Sequence, residues 1–203
     1  AVTQTRELRC FGSGSRLLEP IAGIPSTGLF SSLPPGIEQI SLSDYVICIR
    51  HTNGSVSCAG DNGDAVVAFP ASHETLPPRQ VDGIRKSKKL ALGNGFGCSL
   101  NTDGTVQCWG DNRAGQLGNG QFTGHAAASD VIGIHDAIDI GVNRDWSCAL
   151  LRTGEVHCWG PDSVQPNGNA GHKPVRAFPE PDAARVTNRE CGESDAVTFE
   201  PGQ

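Results

Sequence analysis

The pattern of apolar and polar positions is that of short strands, and it recurs. Apolar residues alternate briefly and then break at turn residues in IEQISLSDYVICIR (from Ile37), LALGNGFGCSL (from Leu90) and IDIGVNRDWSCAL (from Ile138). Ile40 and Leu42, Leu90 and Leu92, and Ile140 and Val142 each share one face at period two, eight and six residues before a cysteine. Each unit is therefore predicted to open with a short strand, pass through a tight segment and enter a hairpin. The first cysteines fall at 48, 98 and 148 and the second at 58, 108 and 158, a period of 50 residues without drift. An internal repeat of this length points to a propeller, solenoid or array rather than to a single-core domain.

The turn fixes the hairpin register. Cys98 and Cys108 oppose one another only if the loop is Thr102-Asp103-Gly104; the equivalent loops are Thr52-Asn53-Gly54 and Arg152-Thr153-Gly154. A three-residue hairpin loop ends on a left-handed residue, where glycine is favoured, and all copies have glycine there. The cysteines then face each other across the strands, close enough to bond. The expected disulfides are Cys48–Cys58, Cys98–Cys108 and Cys148–Cys158.

Half units are expected at both ends. ELRCFGSGS (from Glu7) matches TVQCWGDNR (from Thr105), so Cys10 is a second-strand cysteine with no partner before it. ARVTNRECGESDAVTFEPGQ resembles a decayed opening strand, which leaves Cys191 as a first-strand cysteine with none after it. A ring closed by joining the two terminal strands would pair Cys10 with Cys191 and remove exposed sheet edges. The chain reads as one repeat domain, 1–203, with units near 1–20, 37–62, 84–120, 134–160 and 183–203. Connections of 21 residues separate them at 63–83 and 113–133, and Pro-, Gly- and Ser-rich stretches lie at 21–36 and 161–182.

Composition agrees with many turns. The 203 residues include 26 Gly and 13 Pro, and no run approaches the roughly 18 apolar residues of a membrane span. A net charge of −6 gives no footprint for nucleic acid or anionic lipid, and the one basic cluster, Arg85 to Lys89, reads as a solvated segment. Eight regularly spaced cysteines favour disulfides and an oxidising compartment, so the expected location is secreted, periplasmic or cell-surface. With no methionine and no visible signal peptide, the chain reads as a processed mature protein or an excised piece.

Candidate chemistry narrows the function by what is missing. The cysteine spacing is not the usual short one of zinc ligands and the six histidines are scattered, so no metal is expected. Three equivalent cysteine pairs argue for architecture over catalysis. There is no Gly-x-Ser-x-Gly elbow, phosphate loop or zinc-protease motif, so neither enzyme activity nor a cofactor is expected. Asp61-Asn62 and Asp111-Asn112 lack the alternating ligands of a calcium loop and read as Asx turns. The aromatic-glycine steps Phe11-Gly12, Trp109-Gly110 and Trp159-Gly160 (Ala59-Gly60 in the weak copy) read as an aromatic packed between repeats and a tight exit.

The unit G-x-G-x-x-C-x-L-x-x-D-G-x-V-x-C-W-G-D-N-x-x-G-Q-L-G, from Gly93 to Gly118, resembles the regulator of chromosome condensation repeat, in the cysteine-bearing form of secreted bacterial proteins. The third unit follows the pattern as far as Gly160 and departs at Pro161. The resemblance implies an all-β fold: a β-propeller of about four units with antiparallel four-stranded blades, or a segment of a larger propeller. It leaves open a small ring closed through Cys10 and Cys191, a piece of a longer ring, or an oligomer that completes one.

In similar repeat proteins the loop before the hairpin projects from one face. Here those loops carry Asp44 and Tyr45, Asn94 and Phe96, and Arg144, Asp145 and Trp146, with Arg189 in the fourth unit, and they place an aromatic beside a charge or amide at equivalent positions. Tyr, Trp and Arg are enriched at interface hot spots. The expected function is a non-catalytic secreted or surface module that binds a protein partner through this face. The alternatives are a carbohydrate-binding adhesin or lectin, with Trp109 and Trp159 as exposed stacking platforms, and a structural subunit of a surface assembly with the long linkers as contact arms. Asn53-Gly54-Ser55 is in addition a glycosylation sequon at a hairpin tip, explained equally by the turn.

Overall fold

Turn chemistry sets the register found in the structure. In the computed structural model, which describes residues 36–161 and the backbone of 175–176, each pair of repeat cysteines stands directly opposed: Cys48 with Cys58, Cys98 with Cys108 and Cys148 with Cys158. All three pairs form disulfides with Cα atoms 4.1 Å apart. The loops hold three residues, bracketed by bonds from the His51, Asn101 and Leu151 N–H groups to the Ser55, Thr105 and Glu155 carbonyls. Gly54, Gly104 and Gly154 take φ of +82°, +80° and +87°, the left-handed conformation that a side chain would strain.

Three antiparallel meanders follow one another. The first comprises β1 (Ile37–Leu42), β2 (Val46–His51), β3 (Val56–Asp61) and β4 (Thr75–Gln80). The second comprises β5 (Ser87–Leu92), β6 (Phe96–Asn101), β7 (Val106–Asp111) and β8 (His125–Asp130), and the third β9 (Ala137–Val142), β10 (Ser147–Leu151), β11 (Val156–Trp159) and the two-residue β12 (Val175–Arg176). The described residues contain no helix, and so none long and apolar enough to cross a membrane. The outer strands β4 and β8 lie inside stretches that the sequence pattern assigns to connections. TLPPRQ and HAAASD carry little alternation, and a strand with two prolines is tolerated only at an edge.

Period two divides each blade into a forward and a backward face. Val46, Cys48, Val56 and Cys58 pack forward with Leu90 and Trp109 of the second blade and with Val66 and Val67 of their own. Ile47, Ile49 and Ala59 face the other way, with Ile37 and Ile40. The next core repeats the plan with Phe96, Cys98, Val106 and Cys108 against Ile140, Ala149 and Trp159. The Cys48–Cys58 and Cys98–Cys108 disulfides are thus buried in the cores shared with the following blade. Opposed residues on the backward face are matched in size: Ile47 with Ala59, Gly97 with Trp109, Ser147 with Trp159. A Cβ on Gly97 would come within 2.7 Å of the Trp109 ring, so at this position the fit calls for glycine.

Backbone bonds link the blades at the hairpin-tip end. Ser87 N–H donates to Gly54 O (2.8 Å) and Ala137 N–H to Gly104 O (2.9 Å). Cys10, Cys191 and the terminal half units, and with them the expected ring closure, lie outside the described residues. So do the connections 21–36 and 161–182, apart from 36, 161 and the 175–176 backbone.

Candidate functional site: a turn face at one end of the blades

The tight segments predicted before each hairpin are turns of one design. Ser43, Gly93 and Asn143 each donate their N–H to the carbonyl three residues on, at Val46, Phe96 and Trp146 (2.9 Å each). The glycine of each aromatic-glycine step lies directly beneath. A Cβ on Gly60 would strike Tyr45 O, one on Gly110 would lie 2.5 Å from Gly95 O, and one on Gly160 2.8 Å from Asp145 O. The glycine is therefore required by the close approach of the preceding turn.

The first, second and third turns come together around an open cavity of about 360 Å³, lined by Ser43, Asp44, Leu92, Gly93, Asn94, Val142, Asn143 and Arg144. A bond from Asn94 N–H to Arg144 O (2.8 Å) ties the second turn to the third. Leu92 and Val142 supply an apolar lining, Asp44 and Arg144 opposite charges, and Ser43, Asn94 and Asn143 hydroxyl and amide groups. Asp44, Asn94 and Arg144 are exposed. Arg144 and Asp145 approach only to 4.0 Å with both side chains in solvent, too loose to fix either.

The predicted contact residues divide. Asp44, Asn94 and Arg144, which are equivalent by the 50-residue period, line the cavity. Tyr45 is exposed beside them, and Asp145 and Trp146 are partly exposed in the third turn. Phe96 is a correction: it is fully buried in the core between the second and third blades and offers nothing to a partner. The expected equivalence of the aromatics also fails. Phe96 and Trp146 align with Val46, whereas Tyr45 aligns with Gly95 and Asp145, and one residue along a strand reverses the side chain. Tyr45 therefore points out where Val46 points in. Arg189 lies outside the described residues. Ser43, Asn143, Leu92 and Val142 were missed as lining, although the same period places them beside the residues chosen.

Trp109 and Trp159 are 1% and 0% exposed, which removes the stacking platforms on which the carbohydrate alternative rested. Trp109 Nε1 donates to Val66 O (2.9 Å), beneath the loop that leaves the first hairpin. The Asx turns are present: Asp61 Oδ1 accepts from Gly63 N–H (2.7 Å) and Asp111 Oδ1 from Arg113 N–H (3.0 Å).

Near the second turn is a charged cluster that the repeat pattern does not announce. Oxygens of Asp64 and Asp111 and a ring nitrogen of His125 lie within 4.8 Å of one another. Arg113 binds both carboxylates: its Nη2 is 3.1 Å from Asp64 Oδ1 and its Nε 2.9 Å from Asp111 Oδ1. The hydrogen bond to Asp111, with the charges of Asp111 and Asp64, holds the guanidinium above its ordinary pKa. The arginine already provides the positive charge between these carboxylates, so the cluster reads as a clasp between the first and second blades.

Three consecutive four-stranded meanders with matched inter-blade cores define a segment of a β-propeller. The family model of the Regulator of chromosome condensation (RCC1) repeat matches residues 88–116, within its middle blade. Similar solved structures have the same fold. Human WBSCR16 shares 16% identity at a TM-score of 0.61 over 70% of this chain and 39% of that one. Prp20p from Saccharomyces cerevisiae, described with its binding properties to Gsp1p and histones, shares 20% at 0.57 over 71% and 37%. The structure of Kap60 bound to yeast RCC1 (Prp20) matches at 20% and 0.56 over 70% and 36%. The chain thus spans under two fifths of the length of these structures. No curated protein sequence matches it.

Proposed function

We propose that this chain is a non-catalytic propeller module, secreted or on a cell surface, that binds a protein partner through the face built by its pre-hairpin turns. One observation carries the reading: three turns a repeat apart converge on one open cavity of about 360 Å³, edged by Asp44, Asn94 and Arg144 with Tyr45 exposed alongside. Charge, amide and aromatic groups on an exposed rim suit a partner larger than the cavity. Buried disulfides in each of the three described blades support an oxidising compartment. The yeast propeller's binding of Gsp1p and histones belongs to that protein; it supports the reading here only as an example of the fold used for protein recognition.

The test is face-specific crosslinking. A photoreactive residue replaces Asn94 or Arg144 on the turn face, or Thr102 at the opposite hairpin-tip end, in protein exposed to the medium or surface extract of the producing cells. A discrete protein adduct from positions 94 and 144 alone, lost with Tyr45→Ala, is the expected result. Adducts of equal yield from position 102, or none from any position, would overturn the reading.

A further inference from the structure

We propose that Asn53 is an acceptor for N-linked oligosaccharide whenever the chain passes through a compartment that carries out this transfer. Asn53-Gly54-Ser55 has the required Asn-x-Ser form, and the structure presents it suitably. Asn53 is exposed at the centre of the three-residue loop between β2 and β3. Its Oδ1 accepts from both the Ser55 N–H (2.9 Å) and the Ser55 hydroxyl (2.8 Å). The hydroxyl that acceptor recognition demands is therefore already on the amide to be modified, and no described residue accepts from Nδ2. Gly54 is buried against the following blade, where a Cβ would lie 2.6 Å from Lys86 Cγ, whereas Asn53 beside it is exposed.

The other tips provide internal controls. Asp103 accepts the same two bonds, from Thr105 N–H (3.0 Å) and Thr105 Oγ1 (2.6 Å), but a carboxylate has no amide nitrogen to modify. Thr153-Gly154-Glu155 has neither the amide nor the hydroxyl at the required positions. One tip of the three therefore qualifies. In a meander the β2–β3 turn lies at the opposite end of the blade from the β1–β2 turn, so a glycan on Asn53 leaves the cavity edged by Asp44 and Arg144 uncovered. The proposal stands independently of what that cavity binds.

The transfer balances simply. Asn53 Nδ2 bonds to the anomeric carbon of a lipid-diphosphate-linked oligosaccharide as the bond from that carbon to the diphosphate oxygen breaks. The lipid diphosphate leaves, and the amide nitrogen loses one proton.

The test uses the full chain secreted from a eukaryotic cell line, as the native sequence and as Asn53→Gln, Ser55→Ala and Asp103→Asn. The native chain is expected to lose mass on digestion with peptide N-glycosidase, leaving aspartate at position 53. Asn53→Gln and Ser55→Ala should both be secreted without that shift, and Asp103→Asn should gain a second glycan. Native chain secreted with its disulfides formed and Asn53 unmodified would overturn the proposal. So would an Asp103→Asn chain glycosylated at 103 but not at 53, since the host would then have accepted the same tip geometry elsewhere. A glycosidase shift retained in Asn53→Gln would put the sugar at another residue and would also overturn it.

Discussion

The two junctions between described blades use one plan with different chemistry. In both, an indole from the later blade is buried under the loop leaving the earlier hairpin, and an asparagine organises that loop. Asn62 Oδ1 accepts from Ala68 N–H and Asn112 Oδ1 from Leu117 N–H, and each Nδ2 donates to a carbonyl further on, at Pro70 and Gln121. The differences lie around this frame. Trp109 Nε1 has Val66 O as acceptor, whereas Trp159 Nε1 is buried with no partner among the described residues. Along the innermost strands, Gln39 pairs with both the N–H and C=O of Leu90 (2.8 and 2.7 Å), whereas the equivalent Lys89 pairs with Asp139 of the third blade. On the outside, Gly118 O accepts from Ile132 N–H at the second junction. The first leaves a cavity of about 250 Å³ between Ala65–Phe69 and Arg79–Asp82. Apolar burial and the loop asparagine are what the repeat preserves, and the remaining side-chain polar contacts are solved separately at each seam.

The largest expected effect tests what is shared. Trp109→Ala and Trp159→Ala should each cost about 3–5 kcal/mol in urea unfolding, because a fully buried indole leaves a cavity. If one were tolerated, the junctions would not share a frame. Next come the disulfides. Cys48→Ala/Cys58→Ala and Cys98→Ala/Cys108→Ala should each lose roughly 2–3 kcal/mol, since the closed loops are equally short. A clear inequality in the same assay would show that the cores they face differ in more than polar contacts.

Conservative changes then separate the seams. Trp109→Phe strands the buried Val66 carbonyl and should cost about 1–2 kcal/mol more than Trp159→Phe, which strands nothing described. Gln39→Ala unpairs two backbone groups of Leu90 and should cost about 1–2 kcal/mol at any ionic strength. Lys89→Ala leaves the buried Asp139 carboxylate without its cation and should cost about 1–3 kcal/mol, by an amount that changes with added salt. Equal salt sensitivity would erase the distinction.

The smallest effect is a difference between hairpin tips in acid. Burial depresses the pKa of His51, at the tip of the first blade. Its contribution is complete above the ordinary imidazole value and is lost as pH falls towards the folded value. Hydrogen bonds from the Thr105 hydroxyl and N–H lower the pKa of Asp103, at the second tip. That contribution is complete above the usual carboxylate value and is lost only as pH falls through the lower folded one. Stability measured against pH should therefore fall first in a window removed by His51→Asn, and later in one removed by Asp103→Asn.

What the sequence disclosed follows from the same contrast. The hairpins were legible because cysteine spacing and loop glycine each demand one register, and period two then fixes which side chains turn inward. The outer strands were not, because TLPPRQ and HAAASD are held by pairing to β3 and β7 rather than by alternation of their own. Of the turn face, Asp44, Asn94 and Arg144 were legible by period. Tyr45 and Phe96 look alike in the sequence, yet one residue of offset sends one outward and the other into the core. Gln39–Leu90, Lys89–Asp139 and Arg113–Asp64 could not be read, since the residue type at these polar positions changes from one repeat to the next: Gln39, Lys89 and Asp139 share one repeat position, Gly63 and Arg113 another, and Asp64 and Ala114 a third.

The pairing of Ile47 with Ala59, Gly97 with Trp109 and Ser147 with Trp159 has a consequence for how such a gene can be rearranged. Exchange of a whole hairpin between repeats carries both members of a matched pair together and preserves the fit. A crossover inside the hairpin would set Ile47 opposite Trp109, or Gly97 opposite Ala59, giving a clash in one product and a void in the other. The hairpin is thus the smallest segment that recombination can move intact, and the tip glycine marks where it must not be cut.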